Sequence, residues 1–401
     1  MFRRDDATCR NVSRMWPGIR VSGITLEETL RNPTRRTVYS GLAIAAVGIL
    51  LAGCAAAPEE GTGNGAAEPT SDFLPCMVSD TGGFDDKSFN QLGFEGLQAG
   101  AEVFGSEFTE VESSTDADYA PNLDNLAAEG CDLIVTVGFN LAAATVEAAK
   151  ANPELNYSII DDVADTDFDG TTDAENIKPI VFDTAQAAFL AGYAAASWSK
   201  SGIVGTFGGM NFPTVSVFMD GFAQGVAHHN EQKGTDVKVL GWDSAAQDGT
   251  FIGGFEPGTD ALAAANNLID QGADVLLPVG GPIYQSAGEA INAAMAANPE
   301  NKIAMIGVDA DLYESDPTYQ ALYLTSILKG IDVAVADVVE AAGNDSFDNT
   351  PFLGTLENDA VGIAPFHDYE GEVADTLQAE LDEITAGIIA GDITVVSYLA
   401  G

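Results

Sequence analysis

Arginine is missing from this 401-residue chain beyond Arg36, and the only basic residues after that point are eight lysines. The same stretch carries 57 of the 61 acidic residues, so its formal net charge is −49 with neutral histidine. Proteins that bind nucleic acid neutralise phosphates with Lys and Arg, which excludes nucleic acid as a partner here. Phosphorylated ligands are disfavoured too, because the guanidinium group is the usual partner of phosphate. A neutral ligand fits the composition better.

Histidine is almost as scarce, with only His228, His229 and His367 in the chain. These positions match neither a metal cluster nor a nucleophilic triad. The glycine-rich run GTFGGM at 205–210 lacks the Gly-Lys-Ser/Thr ending of a phosphate-binding loop. The sequence therefore predicts no catalytic residue, no metal and no cofactor.

An export signal occupies the first 53 residues. Arg31, Arg35 and Arg36 precede an apolar run at 37–53, which is the order of charges and apolar residues in a secretory leader. The run ends in Leu-Ala-Gly and Cys54, and this resembles the lipobox of bacterial lipoproteins. The resemblance implies cleavage before Cys54, lipidation of its thiol, and anchoring on the extracytoplasmic face of the cell membrane.

Two alternatives remain for this region. A run of 17 residues is at the lower limit for a membrane-spanning helix, but residues 54–72 read as a flexible tether and not as a stop-transfer segment. The pair Arg35-Arg36 also resembles a twin-arginine motif, so export through either the twin-arginine or the general secretory route stays open.

The remainder of the chain contains two similar halves. GCDLIVTVGF at 130–139 corresponds to GADVLLPVGG at 272–281, and an alanine-rich segment followed by an apolar run at 148–165 corresponds to one at 293–311. Continuous apolar strands that alternate with alanine-rich helices predict α/β layers with parallel sheets covered on both faces. Two such layers predict two lobes, and ligands of such sheets sit beyond the carboxyl ends of the strands.

We expect lobe 1 to comprise 73–182 plus roughly 309–350. Lobe 2 would comprise 183–308 plus roughly 351–401. Polar stretches follow several of the apolar runs, so both sets of strand ends would surround one cleft.

The run CMVSDTGGFDDKSFNQLGFEGL at 76–97 is followed in order by GCDLIVTVGF, GADVLLPVGG, IGVDAD and LTSILKGID. This series resembles the basic membrane protein family of nucleoside-binding lipoproteins over nearly the whole exported chain. The resemblance implies a two-lobed type I periplasmic-binding-protein fold, in which each lobe is a doubly wound parallel sheet with helices on both faces. It implies a monomeric substrate-binding component of an ABC importer, not an enzyme, with a nucleoside as ligand, an ABC permease as partner and a lipid anchor in the membrane.

The resemblance implies that two aromatic rings sandwich the base, and we expect them to come from opposite lobes. Phe89 matches the first ring. Phe251 is the choice for the second, with Phe255 as the runner-up because the local pattern departs from that of the family. Asp80, Ser88 and Asn90 would supply base-edge or loop contacts.

In the second lobe, the resemblance implies that Gly280 lies close to the sugar, Asp309 accepts hydrogen bonds from its hydroxyls and Lys329 donates to it. After Gly138 and Phe139 the family often supplies an acidic residue for the base, but this chain has Asn140 there. Asn140 is the candidate replacement, which leaves the purine preference open.

Two other functions and one metal-site pattern are also compatible with parts of the sequence. A nucleoside hydrolase could use clustered aspartates to bind calcium and activate water, and a sugar or autoinducer receptor on the same fold would also stack a ring on an aromatic residue. The run DTDFDGTTDAE at 165–175 approaches a calcium loop, but its twelfth position is Asn176 where the pattern needs an acid. An acidic surface loop is the simpler interpretation.

Cys76 lies in the first strand and Cys131 just before the run that forms the third. In a sheet of order 2-1-3 those strands are neighbours about 4.8 Å apart, which suits a disulfide in an exported protein. The sequence favours the bond over two buried thiols.

Overall fold

The structure is a computed structural model and describes residues 71–399. The predicted signal, most of the tether and the lipidation site at Cys54 lie outside the described residues. Within 71–399 no helix is both long enough and apolar enough to cross a membrane.

The described chain alternates strands and helices as the sequence predicts. The strands are β1 (Pro75–Val78), β2 (Thr109–Val111), β3 (Leu133–Val137), β4 (Asn156–Ile160), β5 (Ile177–Phe182), β6 (Ile203–Gly208), β7 (Lys238–Leu240), β8 (Trp242–Asp243), β9 (Asp248–Gly249), β10 (Val275–Val279), β11 (Ala304–Asp309), β12 (Tyr323–Lys329), β13 (Phe352–Gly354) and β14 (Val361–Ile363). The α-helices are α1 (Phe89–Phe104), α2 (Tyr119–Glu129), α3 (Ala142–Ala151), α4 (Thr184–Trp198), α5 (Pro213–Lys233), α6 (Thr259–Asp270), α7 (Tyr284–Ala297), α8 (Leu312–Ser315), α9 (Ile331–Gly343) and α10 (Leu377–Ala390).

Two six-stranded sheets organise the molecule, and we call each sheet with its helices a lobe. The first has the order β13-β5-β4-β3-β1-β2 with all neighbours parallel, and the second has the order β14-β12-β11-β10-β6-β7. In the second sheet only the edge strand β14 is antiparallel. Strands β8 and β9 form a separate small hairpin. Both sheets are therefore doubly wound, and each contains the 2-1-3 order that the sequence predicts, as β2-β1-β3 and as β7-β6-β10.

The central strands are buried along their length, including every residue of β1, β3, β10 and β11. This is why they read as continuous apolar runs and not as alternating ones. Helices pack on both faces, and where α4 meets α5 their backbones come very close. A Cβ on Gly192 would lie 2.0 Å from the Phe222 carbonyl oxygen, so only glycine fits there.

The chain crosses between the lobes three times. It leaves lobe 1 after β5 and returns after β12, where α9 packs on α1 and β13 joins the first sheet. It then enters lobe 2 again at β14. The return near 309 expected from the sequence is therefore too early, because Asp309 ends β11 and the chain must still form β12 before the second sheet is complete.

A disulfide joins Cys76 and Cys131 at a Cα separation of 6.0 Å. Strand β1 pairs with β3 in the register Cys76 to Ile134, so the cysteines lie at the amino ends of adjacent strands. That end of the sheet is opposite to the carboxyl ends, where a ligand of an α/β sheet is expected.

Candidate ligand-binding cleft

The carboxyl ends of strands from both sheets line one cleft, with about 640 Å³ of empty space when its open mouth is included. Seven of the nine ligand contacts expected from the sequence line the cleft: Asp80, Phe89, Asn90, Asn140, Gly280, Asp309 and Lys329. The cleft is also lined by residues that the sequence analysis did not assign to the ligand, among them Asp86, Phe139, Asp161, Thr214, Phe218 and Pro282.

Asp86 organises the loop between β1 and α1. Its Oδ1 accepts hydrogen bonds from the backbone N–H groups of Ser88 and Gln91, at 3.0 and 3.1 Å. Its Oδ2 accepts the backbone N–H of Asn90 at 2.9 Å and the Asn90 side chain at 3.0 Å. These bonds satisfy the otherwise unpaired N–H groups at the start of α1. Both carboxylate oxygens of Asp86 therefore accept hydrogen bonds from the loop and the start of α1.

Asn90 fixes Asp80. The Asn90 Nδ2 donates to Asp80 Oδ1 at 2.8 Å, while the Asp80 backbone N–H donates to Asn90 Oδ1 at 3.2 Å. The backbone N–H of Gly82 donates to the same carboxylate oxygen at 2.8 Å. The other oxygen, Oδ2, faces Gly138, 3.3 Å from where a Cβ on that glycine would lie, and accepts no hydrogen bond from a described residue.

Burial raises the pKa of Asp80 to about 6, in spite of the lowering effect of the bonds from Gly82 and Asn90. Asp80 is thus held rigidly, with one oxygen available to a ligand.

Two phenylalanine rings enter the cleft from opposite lobes. Phe89 begins α1, and its ring lies 3.4 Å from where a Cβ on Gly138 would lie. The Phe255 ring covers Gly209 and Gly280, so closely that a Cβ on either glycine would come within 2.4 or 2.8 Å of it. Glycine at the ends of β3 and β10 therefore makes the room in which the two rings sit.

Phe251, the first choice for the second ring, lies outside the cleft. Its ring packs on Gly208 and meets the Trp242 ring edge-on at 6.4 Å between centroids, and its backbone bridges to Gly208. Phe251 thus extends the packing at the end of β6, whereas Phe255, the runner-up for the second ring, lines the cleft. The sequence could not separate the two, since they are four residues apart in a loop.

Ser88 is also absent from the cleft lining. It is fully buried at the start of α1, and its hydroxyl has no hydrogen-bond partner among the described residues. Its backbone N–H is the group that Asp86 engages. The structure places Ser88 beneath the loop and not on its surface.

Lys329 joins the two lobes. Its Nζ lies 2.5 Å from Asp161 Oδ2 and 3.3 Å from Asp309 Oδ1, and all three side chains are buried. Asp161 follows β4 in the first sheet, whereas Lys329 and Asp309 end β12 and β11 in the second. The ammonium group also lies 5.3 Å from the centre of the Phe89 ring and 4.9 Å from that of Phe218, within the range of a cation–π contact.

Burial alone would lower the pKa of Lys329, but Asp161 and Asp309 outweigh burial and hold this pKa above its ordinary value. Two carboxylates share one ammonium group, and Asp161 has the shorter contact. Asp309 is also buried, and burial raises its pKa to about 6, although the charge of Lys329 opposes the rise.

Asp161 lines the cleft and was not among the ligand contacts expected from the sequence. A signal for it exists, because the segments that end in Asp161 and Asp309 belong to the internal repeat. Both residues also adopt positive φ, 62° and 68°, directly at the ends of corresponding strands. Asn140 does line the cleft, and its side chain makes no hydrogen bond to a described residue.

Thr214, at the start of α5, adds a buried hydroxyl without a hydrogen-bond partner among residues 71–399. With it, the cleft presents uncommitted donors and acceptors from both lobes. A ligand must satisfy them when it excludes water.

The acidic loop lies apart from this cleft. Carboxylate oxygens of Asp165, Asp167 and Asp173 come within 4.8 Å of one another at the surface. Asp165 accepts backbone N–H groups of the loop itself, and Asp173 accepts both the backbone N–H and the hydroxyl of Thr166. The carboxylates thus stabilise the loop's own turns.

Comparison with known proteins identifies close similarities. The family described as ABC transporter substrate-binding protein PnrA-like matches residues 73–394. The nucleoside-binding protein BmpA of a Lactococcus lactis ABC transporter is 29% identical over 378 residues, which cover 90% of this chain and 99% of the relative. Basic membrane protein B of Borreliella burgdorferi is 32% identical over 294 residues, covering 72% of this chain and 77% of the relative.

Solved structures resemble the fold. An ABC transporter solute-binding protein from Aeropyrum pernix has a TM-score of 0.71 at 24% identity, covering 82% of this chain and 94% of its own. One from Conexibacter woesei has a TM-score of 0.61 at 20% identity, covering 81% and 99%. These similarities confirm the two-lobed periplasmic-binding-protein fold that the sequence predicts.

Proposed function

Because the chain belongs to the PnrA-like family of ABC transporter substrate-binding proteins, we propose that it captures a nucleoside between its lobes and delivers it to the permease of an ABC importer. The lipobox supports a lipid anchor at Cys54 on the extracytoplasmic face of the membrane. The relative from Lactococcus lactis carries the description of a nucleoside-binding protein, which supports the same ligand class.

The observation that carries this proposal is the combination of two rings that line one cleft from opposite lobes with a set of unused hydrogen-bond acceptors. Phe89 and Phe255 enter from opposite lobes, and a base stacked on an aromatic ring gains roughly 1–3 kcal/mol. Asp80 Oδ2 and Asp161 Oδ1 accept no hydrogen bond from described residues, and Asp309 Oδ1 has only the longer contact with Lys329. A ligand with a flat ring and several O–H or N–H donors would satisfy all of these groups.

The base and the ribose of a nucleoside would contact different sets of residues in the cleft. The base would lie between the rings, with its edge at Asp80, which Asn90 and Gly82 hold in place. The ribose hydroxyls would donate to Asp309 and accept from Lys329, close to Gly280. Thr214 and Asn140 would supply the remaining polar contacts.

Charge argues against nucleotides. Four carboxylates line the cleft, those of Asp80, Asp86, Asp161 and Asp309, and Lys329 is the only basic residue among its lining residues. Its ammonium is already shared by two carboxylates. A phosphate group would therefore be repelled, and we expect a nucleoside to bind far more tightly than its monophosphate.

A thermal-shift panel of nucleosides, free bases, pentoses and nucleoside monophosphates tests the proposal. A ligand at 100 times its dissociation constant stabilises the folded state by about 2.7 kcal/mol. We expect shifts with nucleosides only, confirmed by calorimetry. Shifts with pentoses but not nucleosides would favour a sugar receptor, and release of free base during incubation would favour a hydrolase.

A further inference from the structure

Phe139 lines the cleft and contacts two aromatic rings of the opposite lobe. It follows Gly138 at the end of β3 in lobe 1 and begins the short turn before α3. Its ring centroid lies 4.4 Å from that of Phe212 and 6.1 Å from that of Phe255, both in lobe 2. The backbone of Gly138, with φ 100°, directs the following residue out of the strand and towards the other lobe.

Phe212 is the lobe 2 partner of Phe139 in this ring contact. It immediately precedes α5, where its carbonyl oxygen accepts the backbone N–H groups of Val215 and Ser216 at 2.9 and 2.8 Å. Phe139 lines the cleft, whereas Phe212 is not among the lining residues. A change at Phe212 would therefore act on a bound ligand indirectly, and the Phe139 ring is a neighbour of Phe212 from the opposite lobe.

We propose that Phe139 and Phe212 form an aromatic latch that holds the lobes closed and slows release of the bound ligand. The inference rests on the proposed function for its ligand and goes beyond it, because it assigns a closing role to residues outside the base and sugar contacts. Phe139 is the latch residue of lobe 1, and Phe212 is a positioning residue that acts through it.

The contact has the right position to control the rate of release. A ligand held between two lobes leaves after the lobes separate, so a contact that forms only in the closed state lengthens its residence time. Aromatic pairs at this separation contribute beyond the area they bury. We expect loss of one ring to accelerate dissociation roughly 3- to 10-fold, with a smaller effect on association, since differences within one interface are mostly differences in dissociation rate.

The test measures association and dissociation rates of the tightest nucleoside of the panel by stopped-flow fluorescence or surface plasmon resonance. The variants are F139A, F212A, the double variant and F139Y, which keeps the ring. We expect both single alanine variants to release the nucleoside faster, the double variant to be no faster than F139A, and F139Y to release it at the wild-type rate. Non-additivity of this kind reports a direct coupling between the two rings.

Phe168 provides the matched control. Its side chain is 90% exposed in the acidic loop of lobe 1, so F168A removes a ring without removing a contact between the lobes. We expect F168A to bind and release the nucleoside like the wild type. Thermal unfolding of each ligand-free variant shows whether it is folded.

Separate outcomes distinguish the latch from the proposed function. Tight nucleoside binding with unchanged dissociation rates in F139A and F212A would overturn the latch and leave the proposed function intact. An effect in F139A that F212A does not reproduce would assign Phe139 to direct ligand contact and also overturn the latch. If the wild type bound no nucleoside, the proposed function would fail. Small-angle scattering would then decide the latch, with a larger radius of gyration in F139A and F212A supporting it and an unchanged one overturning it.

Discussion

Lys329 and Asp161 form a buried ion pair between two sheets, with 2.5 Å between the ammonium nitrogen and the carboxylate oxygen. Lys329 also contacts Asp309 at 3.3 Å and ends the strand after which the chain crosses back to lobe 1. One cation thus balances a carboxylate from each lobe at the point where the lobes are connected. Removal of the Lys329 charge would leave both carboxylates buried without a counter-ion.

The variant K329M tests this pair. We expect a loss of roughly 3–5 kcal/mol in the free energy of unfolding, because Asp161 and Asp309 would remain buried without a counter-ion. We expect nucleoside affinity to fall as well, since the sugar loses its donor. Denaturant unfolding of the ligand-free protein and calorimetry measure the two effects.

Lys238 offers the control for that experiment. It pairs with Asp236 at 2.5 Å, but 59% and 83% of the two side chains are exposed. A surface pair of this kind contributes about 0–1 kcal/mol, so K238M should leave both stability and affinity nearly unchanged. Equal losses in K329M and K238M would contradict the role given to burial.

The variants F255A and F251A distinguish the stacking of a ring on the base from the packing of a ring within the loop. We expect F255A to weaken nucleoside binding by roughly 1–3 kcal/mol, or about 5- to 150-fold, because one stacking face is lost. F251A should lower the melting temperature, since its ring packs on Gly208 and Trp242, and leave affinity within about twofold once the protein is folded. Calorimetry below the melting temperature of each variant gives the comparison, and the reverse pattern would show that Phe251 is the stacking residue.

The sequence predicted the architecture well because each sheet is made of strands buried on both faces. Continuous apolar runs such as LIVTV and VLLPV are typical of strands that are buried on both faces, and their repetition predicts two lobes. The points at which the chain crosses between the lobes were harder to predict from the sequence. Asp309 looks like a boundary because a polar stretch follows an apolar strand there, yet the same pattern marks every ligand-facing strand end.

Site residues were predictable where a motif fixes the local geometry. DTGGFDDKSFNQ contains both the Asp80 carboxylate and the Phe89 ring, which line the cleft, and its Asp86 and Asn90 side chains hold the loop. Phe255 and Asp161 were harder to place because their roles depend on contacts across the molecule: the Phe255 ring sits on Gly209 and Gly280, and Asp161 is paired with Lys329 far along the chain. No local spacing encodes such contacts.

The disulfide between Cys76 and Cys131 should support stability and not binding. It closes a segment with a sequence separation of 55, and a native disulfide typically contributes roughly 2–4 kcal/mol to stability. We expect reduction to lower the free energy of unfolding by that amount and to leave nucleoside affinity unchanged, because the bond lies at the amino ends of β1 and β3, away from the cleft. Mass spectrometry of alkylated, denatured protein checks the premise: both thiols should be protected without reductant and labelled with it, and full labelling without reductant would exclude the bond.

Acidification should affect stability and affinity in opposite directions. Burial raises the pKa values of Asp80 and Asp309 to about 6, from ordinary values of 3.8. Between about pH 4 and pH 6 these carboxylates hold protons in the folded state that they have lost in the unfolded state, so their contribution to stability falls as pH rises through this window. Ligand-free protein should therefore gain stability from these two groups when the pH is lowered from 7 to 5.

Binding requires the same two groups as acceptors, so protonation competes with the ligand. We expect affinity to fall below about pH 6, by up to roughly tenfold per pH unit for each group that must ionise. Calorimetry from pH 5 to pH 8, with thermal unfolding of ligand-free protein in the same buffers, measures both trends. D80N, which keeps the shape of the side chain and cannot ionise, should bind more weakly at pH 7 and show a shallower pH dependence. An affinity that increases on acidification would mean that the ligand accepts a proton from Asp80 or Asp309, and it would reverse the donor and acceptor roles assigned to the cleft.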